Sequence, residues 1–209
     1  MQQLALFDDR EPIERAPPRL PSGLTYEEGF LSEAQEQDVI ALLQTLPLSH
    51  AHYKGYTARR RVLSFGARFD FARNELQAAP ALIEALLPLR ERVAHWAGLP
   101  PEQLAHTLVS AYDPQTPLGW HRDVPDFEEV FGVSLGAPAV IRWRPYPHRP
   151  GRPGGRTQSE VLRLEVAPRS IYAIRGAARW QWQHSVAPVA ALRWSLTFRT
   201  LRQRAGSTG

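Results

Sequence analysis

The stretch "LGWHRD" places His121 and Asp123 two residues apart. In an extended chain the side chains alternate, so both project from one face, about 7 Å apart along the strand. An imidazole and a carboxylate converging there are either two ligands of a metal or members of a surface turn. The chain has no cysteine. A metal would therefore rest on histidine and carboxylate alone.

The pair by itself leaves both readings open, because two ligands make an incomplete site. A second histidine must arrive from elsewhere, and His184, in "WQWQHSVAP", lies at the end of a later extended run. Two histidines and one carboxylate on one side of a metal leave three positions free, the arrangement of non-haem Fe(II) oxygenases. His50 and His52, in "SHAHYKG", are also two apart and form a rival pair in a polar stretch. His95 is expected to pack on its helix, and His106 and His148 to face solvent.

A second chemical signal is "RWSLTFRTL", residues 193–201. Trp194, Leu196 and Phe198 share one face; Arg193, Ser195, Thr197 and Arg199 share the other. On a surface strand the arginines would sit in water. In a narrow sandwich the polar face is instead the interior, where guanidiniums require anions. The two Cα atoms would lie about 20 Å apart, so the side chains must lean inward to share one small dianion. "LVSAYDP" behaves alike: Ser110 and Tyr112 share a face, and both hydroxyls can donate to a carboxylate.

The elements that must position these groups fall into two halves. Residues 1–23, with "REPIERAPPRLPSG", lack periodicity and read as an extended arm; residues 205–209 form a tail. Ser32 and Gln35 form a capping box before Val39, Leu42, Leu43 and Leu46, one apolar helical face that ends at Pro47. A second helical region spans about 80–98, with Leu82, Leu86, Leu89, Val93 and Trp96 on its buried side and Pro88 kinking or splitting it. After residue 105 come short alternating runs: "HTLVSAYD", "EVFGVSLG", "AVIRWRPY", "VLRLEVA", "SIYAIRG", "ARWQWQHSV" and "LRWSLTFRTL". These make an antiparallel sandwich or jelly roll. "PHRPGRPGGRTQSE" reads as a long hairpin loop. The fold class is α+β, with N-terminal helices outside the sandwich.

Composition bounds the partners. The 209 residues suit one domain, and 43% are hydrophobic, enough for a core. No apolar run nears the roughly 20 residues that span a bilayer, and the N-terminus lacks a secretory pattern. Absent cysteine fits a reducing cytoplasm. The net charge is +4, and of 25 basic residues only Lys54 is lysine. Arginine grips phosphate bidentately and stacks on bases, which suits nucleic acid. A compositional bias toward Arg, Ala and Pro would give the same count.

Together these stretches resemble the AlkB family of Fe(II)- and 2-oxoglutarate-dependent dioxygenases, from about residue 24 to 204. The likeness is carried by "LVSAYDPQTPLGWHRD", "VSLGAPAVIRW", "WQHSV" and "RWSLTFR". It implies a double-stranded β-helix in which His121, Asp123 and His184 hold Fe(II). Arg193 and Tyr112 would bind the distal carboxylate of 2-oxoglutarate, and Arg199 would steady Asp123. Ser110 and Ser195 stand where the best-known bacterial member has asparagines. The implied reaction consumes O₂, releases succinate and CO₂, and frees an N-methyl group as formaldehyde.

Residues 49–73 lie where the family places its nucleotide-recognition lid. This segment has six basic residues, one acid (Asp70) and interleaved aromatics. Phe65, Phe69 and Phe71 read as the buried face of a strand; Tyr56, Arg59, Arg60 and Arg61 read as substrate-binding. The known repair enzymes carry a second acid two residues after the iron-binding aspartate, where this chain has Pro125. The expected protein is a cytoplasmic monomer without membrane contact that demethylates alkylated bases in DNA or RNA. The rival targets are tRNA or a protein side chain, and the rival class is a non-catalytic jelly roll that binds nucleic acid.

Overall fold

The structure, a computed structural model, describes residues 19–53, 56–70, 73–148 and 161–203, without the side chains of residues 52, 53 and 56. The chain begins with β1 (Leu24–Glu27) and α1 (Glu33–Gln44). Next come β2 (Ser49–Tyr53), β3 (Tyr56–Phe65), β4 (Ala67–Asp70) and β5 (Glu75–Ala78). The helix α2 (Leu87–Ala97) precedes β6 (Leu104–Tyr112), β7 (Leu118–His121), β8 (Phe127–Gly136) and β9 (Ala139–Pro145). The C-terminal part holds β10 (Leu162–Val166), β11 (Ser170–Ile174), α3 (Gly176–Trp180), β12 (Trp182–Val186) and β13 (Arg193–Leu201).

The strands form a seven-stranded sheet, β1-β11-β8-β13-β6-β3-β2, and a four-stranded sheet, β10-β9-β12-β7, while β4 and β5 pair as a separate antiparallel ribbon. Every neighbouring pair in both sheets is antiparallel. This is a jelly roll. Two apolar clusters hold it. Tyr112, Val130 and Tyr172 from the large sheet meet Ile141, Trp143 and Val186 from the small one in the interior. The outer face of the large sheet, with Val109, Phe131, Leu135, Leu196 and Phe198, is covered by Leu43 of α1 and by Leu86, Leu89 and Val93.

Local chemistry explains the element ends. The Ser32 side chain accepts from the Gln35 backbone N–H at 3.2 Å, and the Gln35 side chain accepts from the Ser32 N–H at 2.9 Å. Pro88 sits in the first turn of α2, where its missing N–H costs nothing, after a 3₁₀ turn over Glu84–Leu86. The pattern over 178–186 reads as one strand, yet residues 176–180 form a helical turn. Gly176, at φ 49°, breaks the extended run, and Ala177 and Ala178 favour helix. Ser22 and Gly23, assigned to the arm, are pinned: their carbonyls accept from the Ala178 and Arg175 N–H groups at 2.8 and 2.9 Å. Of the hairpin loop expected over residues 147–160, between β9 and β10, residues 149–160 lie outside the described residues.

Gly132 of β8 lies under Tyr172 of β11, and a Cβ at that position would overlap the tyrosine ring. Overpacking a core typically costs about 1–3 kcal/mol. Gly132→Ala is expected to lower stability by that amount, read from the urea midpoint at constant slope. An unchanged midpoint would mean that the tyrosine has room to move.

Candidate metal centre

His121 ends β7 and His184 is central in β12; the register of the two strands pairs them directly. Their ring centroids are 4.2 Å apart. Asp123 follows two residues after the strand, with Oδ2 3.8 Å from His184 Nε2. All three residues can present one ligand atom within 4.8 Å of the others. The side chains of His184 and Asp123 are only 12% and 8% exposed, which marks a shielded site and not a surface turn. His121 Nδ1 lies 2.8 Å from the Gly119 carbonyl. A carbonyl only accepts, so Nδ1 carries the proton and Nε2 keeps its lone pair for a metal.

The polar face of β13 does point inward. Arg193, Ser195 and Arg199 are buried, as are Ser110 and Tyr112 on the adjoining β6. Cross-strand register sorts them into rows. Arg193 pairs with Tyr112; Ser195 lies between Ser134 and Ser110, with Ser170 beyond Ser134; Arg199 pairs with His106. The serine row is a band of short side chains between two guanidiniums. At one end Arg199 Nε donates to Asp123 Oδ1 at 2.8 Å, and its Nη2 approaches the same oxygen at 2.7 Å. At the other, Arg193 Nε donates to Ser134 Oγ at 3.1 Å and the guanidinium lies over the Tyr112 ring.

Burial governs the protonation states. It pushes His184 down to about 3, aided by the neighbouring His121, and lowers His121 as well. Neutral imidazoles are what a metal requires. Burial alone would raise the Asp123 carboxyl; Arg199, then His184 and His121, outweigh it and hold the group well below the usual carboxylate range.

Two neutral imidazoles and an anionic carboxylate suit Fe(II) with open positions. The second group tests independently. Arg193 Nη2 is buried and has no hydrogen-bond partner. A buried guanidinium edge left unmatched is costly unless an anion meets it. A dicarboxylate spanning the serine row from Arg193 toward the triad would supply that anion.

The lid residues divide. A cleft of about 1080 Å³ opens above the triad, and its lining includes Arg59, Arg60, Arg68, Phe69, Trp120 and His121. Arg60 is buried, with Nη1 3.5 Å from the Tyr112 hydroxyl, so it sits deeper than a lid residue. Arg59 is exposed at the rim. Arg61 points to the opposite side of β3 and pairs with Asp113 at 3.0 Å, away from the cleft, because alternate strand residues face opposite ways. The Tyr56 side chain and Phe71 lie outside the described residues, and Phe65 packs in the outer core. His50 stays exposed at the cleft rim, bonded to the Ala58 carbonyl, and is not part of the triad. His95 is exposed on α2.

His106 corrects a further expectation. It is 5% exposed, stacked on Phe127 at 4.7 Å, and its Nδ1 lies 3.2 Å from Arg199 Nη1. Arginine only donates, so His106 accepts. Burial and the adjacent Arg199 push it down to about 3, keeping that lone pair available. Alternation in "HTLVSAY" puts His106 on the Tyr112 face, a signal that could have found it.

A jelly roll whose interior joins this triad to an unmatched guanidinium belongs to the class of non-haem iron oxygenases. The model of the 2OG-Fe(II) oxygenase superfamily matches residues 23–199, and the chain belongs to that family, which works with Fe(II), 2-oxoglutarate and O₂. The solved structure of OsALKBH1 aligns over 87% of this chain and 100% of its own, with TM-score 0.61 and 17% identity. An oxidoreductase of the 2OG-Fe(II) oxygenase family from Burkholderia pseudomallei aligns over 87% and 86%, with TM-score 0.56 and 18% identity. Both show the same fold. Uncharacterized protein L905 of Acanthamoeba polyphaga mimivirus is 29% identical over 90 residues, 42% of this chain. The chain thus spans 37% of that relative's length.

Removing the group that orients a metal-binding carboxylate typically weakens metal binding about 10- to 100-fold. Arg199→Gln is expected to do so for Mn(II) or Fe(II) in equilibrium dialysis. Wild-type affinity in a folded variant would show that Asp123 needs no such support.

Proposed function

We propose that this chain oxidatively demethylates N-alkylated nucleobases of the 1-methyladenine and 3-methylcytosine type, in DNA first of all. The observation that carries the reading is one cleft in which His121 and Asp123, grouped with His184, share the lining with a wall of arginines and aromatic rings. A flipped base needs stacking partners and its strand needs cations, and this wall offers both.

In this reading His121, Asp123 and His184 hold Fe(II), and Arg193 with Tyr112 holds the far carboxylate of 2-oxoglutarate. Ser110 and Ser195 line its path, their short side chains making room for it. Arg199 fixes Asp123, and His106 in turn accepts from Arg199. Arg59 and Arg60 attract the substrate strand. When bound, iron, 2-oxoglutarate and O₂ supply the oxidant that turns an N-methyl into a hydroxymethyl group, with loss of succinate and CO₂; the hydroxymethyl then leaves as formaldehyde. The protein's share is to hold these groups in line and to keep water from the interior.

Incubation with Fe(II), 2-oxoglutarate and an oligonucleotide bearing either lesion should remove one methylene mass per lesion. Succinate formation with every lesion left intact would refute the assignment. Arg193→Leu should raise the KM for 2-oxoglutarate roughly 10- to 100-fold, the worth of a charged hydrogen bond. An unchanged KM would place the co-substrate elsewhere. No turnover in Asp123→Ala with nucleic-acid binding retained would separate an enzyme from a mere binding module.

Pro125 favours a second reading, the same chemistry on tRNA or a protein side chain. It stands exposed beside Val124 of the cleft wall, where it can accept no hydrogen bond through its side chain. Turnover stimulated by unmethylated tRNA or by a protein, and by no methylated DNA, would select it.

A further inference from the structure

The outer face of the small sheet carries a cluster of arginines that the iron site does not use. Arg163 of β10 and Arg142 of β9 are direct cross-strand partners, and Arg144 is two residues along β9. Strand geometry places all three within about 8 Å of one another at the backbone. Like charges directly opposite destabilise a sheet pair. Among the described residues no carboxylate lies within ion-pair distance of Arg142, Arg144 or Arg163; Glu165, on the same face, pairs in register with Val140. A local conflict of this kind is what functional surfaces retain.

Two of the three guanidiniums are also held in place. Arg142 Nε donates to Ser185 Oγ at 3.0 Å, and Arg144 Nε donates to Gln183 Oε1 at 2.9 Å. Both stack on Trp120, at 5.4 and 4.4 Å from its ring centre. Neutral partners fix each side chain through Nε and do not quench its charge. The Nη edges, the part of the fork that grips an anion bidentately, stay available. Beside them Arg122 lies 3.6 Å over the Tyr146 ring, and Tyr146 is 42% exposed.

Trp120 and Arg122 also line the catalytic cleft, so the basic face and the cleft mouth share a wall. Trp120 directly precedes His121, and strand alternation turns one outward and the other inward. We infer that this outer face is a docking track for the sugar-phosphate backbone of the substrate strand, with Arg142, Arg144 and Arg163 gripping phosphates beside the point where a base enters. This rests on the nucleic-acid reading given above and adds to it a second surface, distinct from the segment 49–73.

The test compares wild type with Arg142→Gln/Arg144→Gln/Arg163→Gln and with the matching triple Arg→Lys variant. Binding of a fluorescein-labelled oligothymidylate is followed by anisotropy from low to high salt, with Tm as the folding control. Each lost phosphate contact reduces the salt slope by about 0.7 on single strands. The Gln variant should lose a slope of about 2 and bind roughly 10- to 100-fold more weakly at low salt. The Lys variant should keep the slope while losing part of the affinity, because charge remains and the fork does not. A Gln variant with wild-type slope and affinity overturns the inference. So does a poly-glutamate peptide bound as tightly as the oligonucleotide, which would assign the face to an acidic protein. Weakened binding by the Gln variant, together with no demethylation by wild type, would uphold the docking track and sink the demethylase reading.

Discussion

A carboxylate buried against a guanidinium is the constraint around which this molecule is organised. Asp123 lies deep in the barrel, and taking an unpaired carboxylate out of water would cost several kcal/mol even after relaxation. Arg199, reaching from the last strand, removes that cost with two short contacts to one oxygen. The other oxygen remains turned toward His184. The pair therefore does two things: it keeps the charge tolerable, and it leaves one face of the carboxylate for a cation.

A polar interior needs its cohesion supplied elsewhere. The seven-stranded sheet is apolar on its outer side, where Phe131, Leu135, Leu196 and Phe198 pack under α1 and α2. Most of the large buried side chains belong to that outer layer. The inner layer is free to carry serines, a tyrosine and two arginines along β13 and β6. Stability and chemistry are thus assigned to opposite faces of the same strands, a division that the period of two makes possible.

How much was legible follows from the same period. The alternation of "RWSLTFRTL" showed which residues share a face, the capping box marked a helix start, and Pro88 marked a break in the second helical region, all through local chemistry. His121 and Asp123 stood out by spacing and His184 as a candidate third ligand, but the likeness alone drew the three together, because that spacing says nothing of a histidine some sixty residues on. What stayed hidden depends on long-range contact. The strands β2 to β5 have mixed, basic sequences and exist through pairing with β6 and with each other. The burial of His106 is set by Phe127 and Arg199, both distant in sequence. Arg61 and Arg60 read alike in "ARRRV", and only the register of β3 on β6 sends one outward and the other in.

The position of β2 and β3 has an evolutionary consequence. They are the last two strands at one margin of the large sheet, and β13, which holds the arginines, is separated from β3 by β6. Residues of the marginal pair line part of the cleft wall beside His121 and Asp123, and within the sheet β6 stands between them and β13. Substitutions there can retune what is accepted while the oxidising machinery, anchored further in, keeps its geometry. A single scaffold can in this way diversify its clientele by editing its hem.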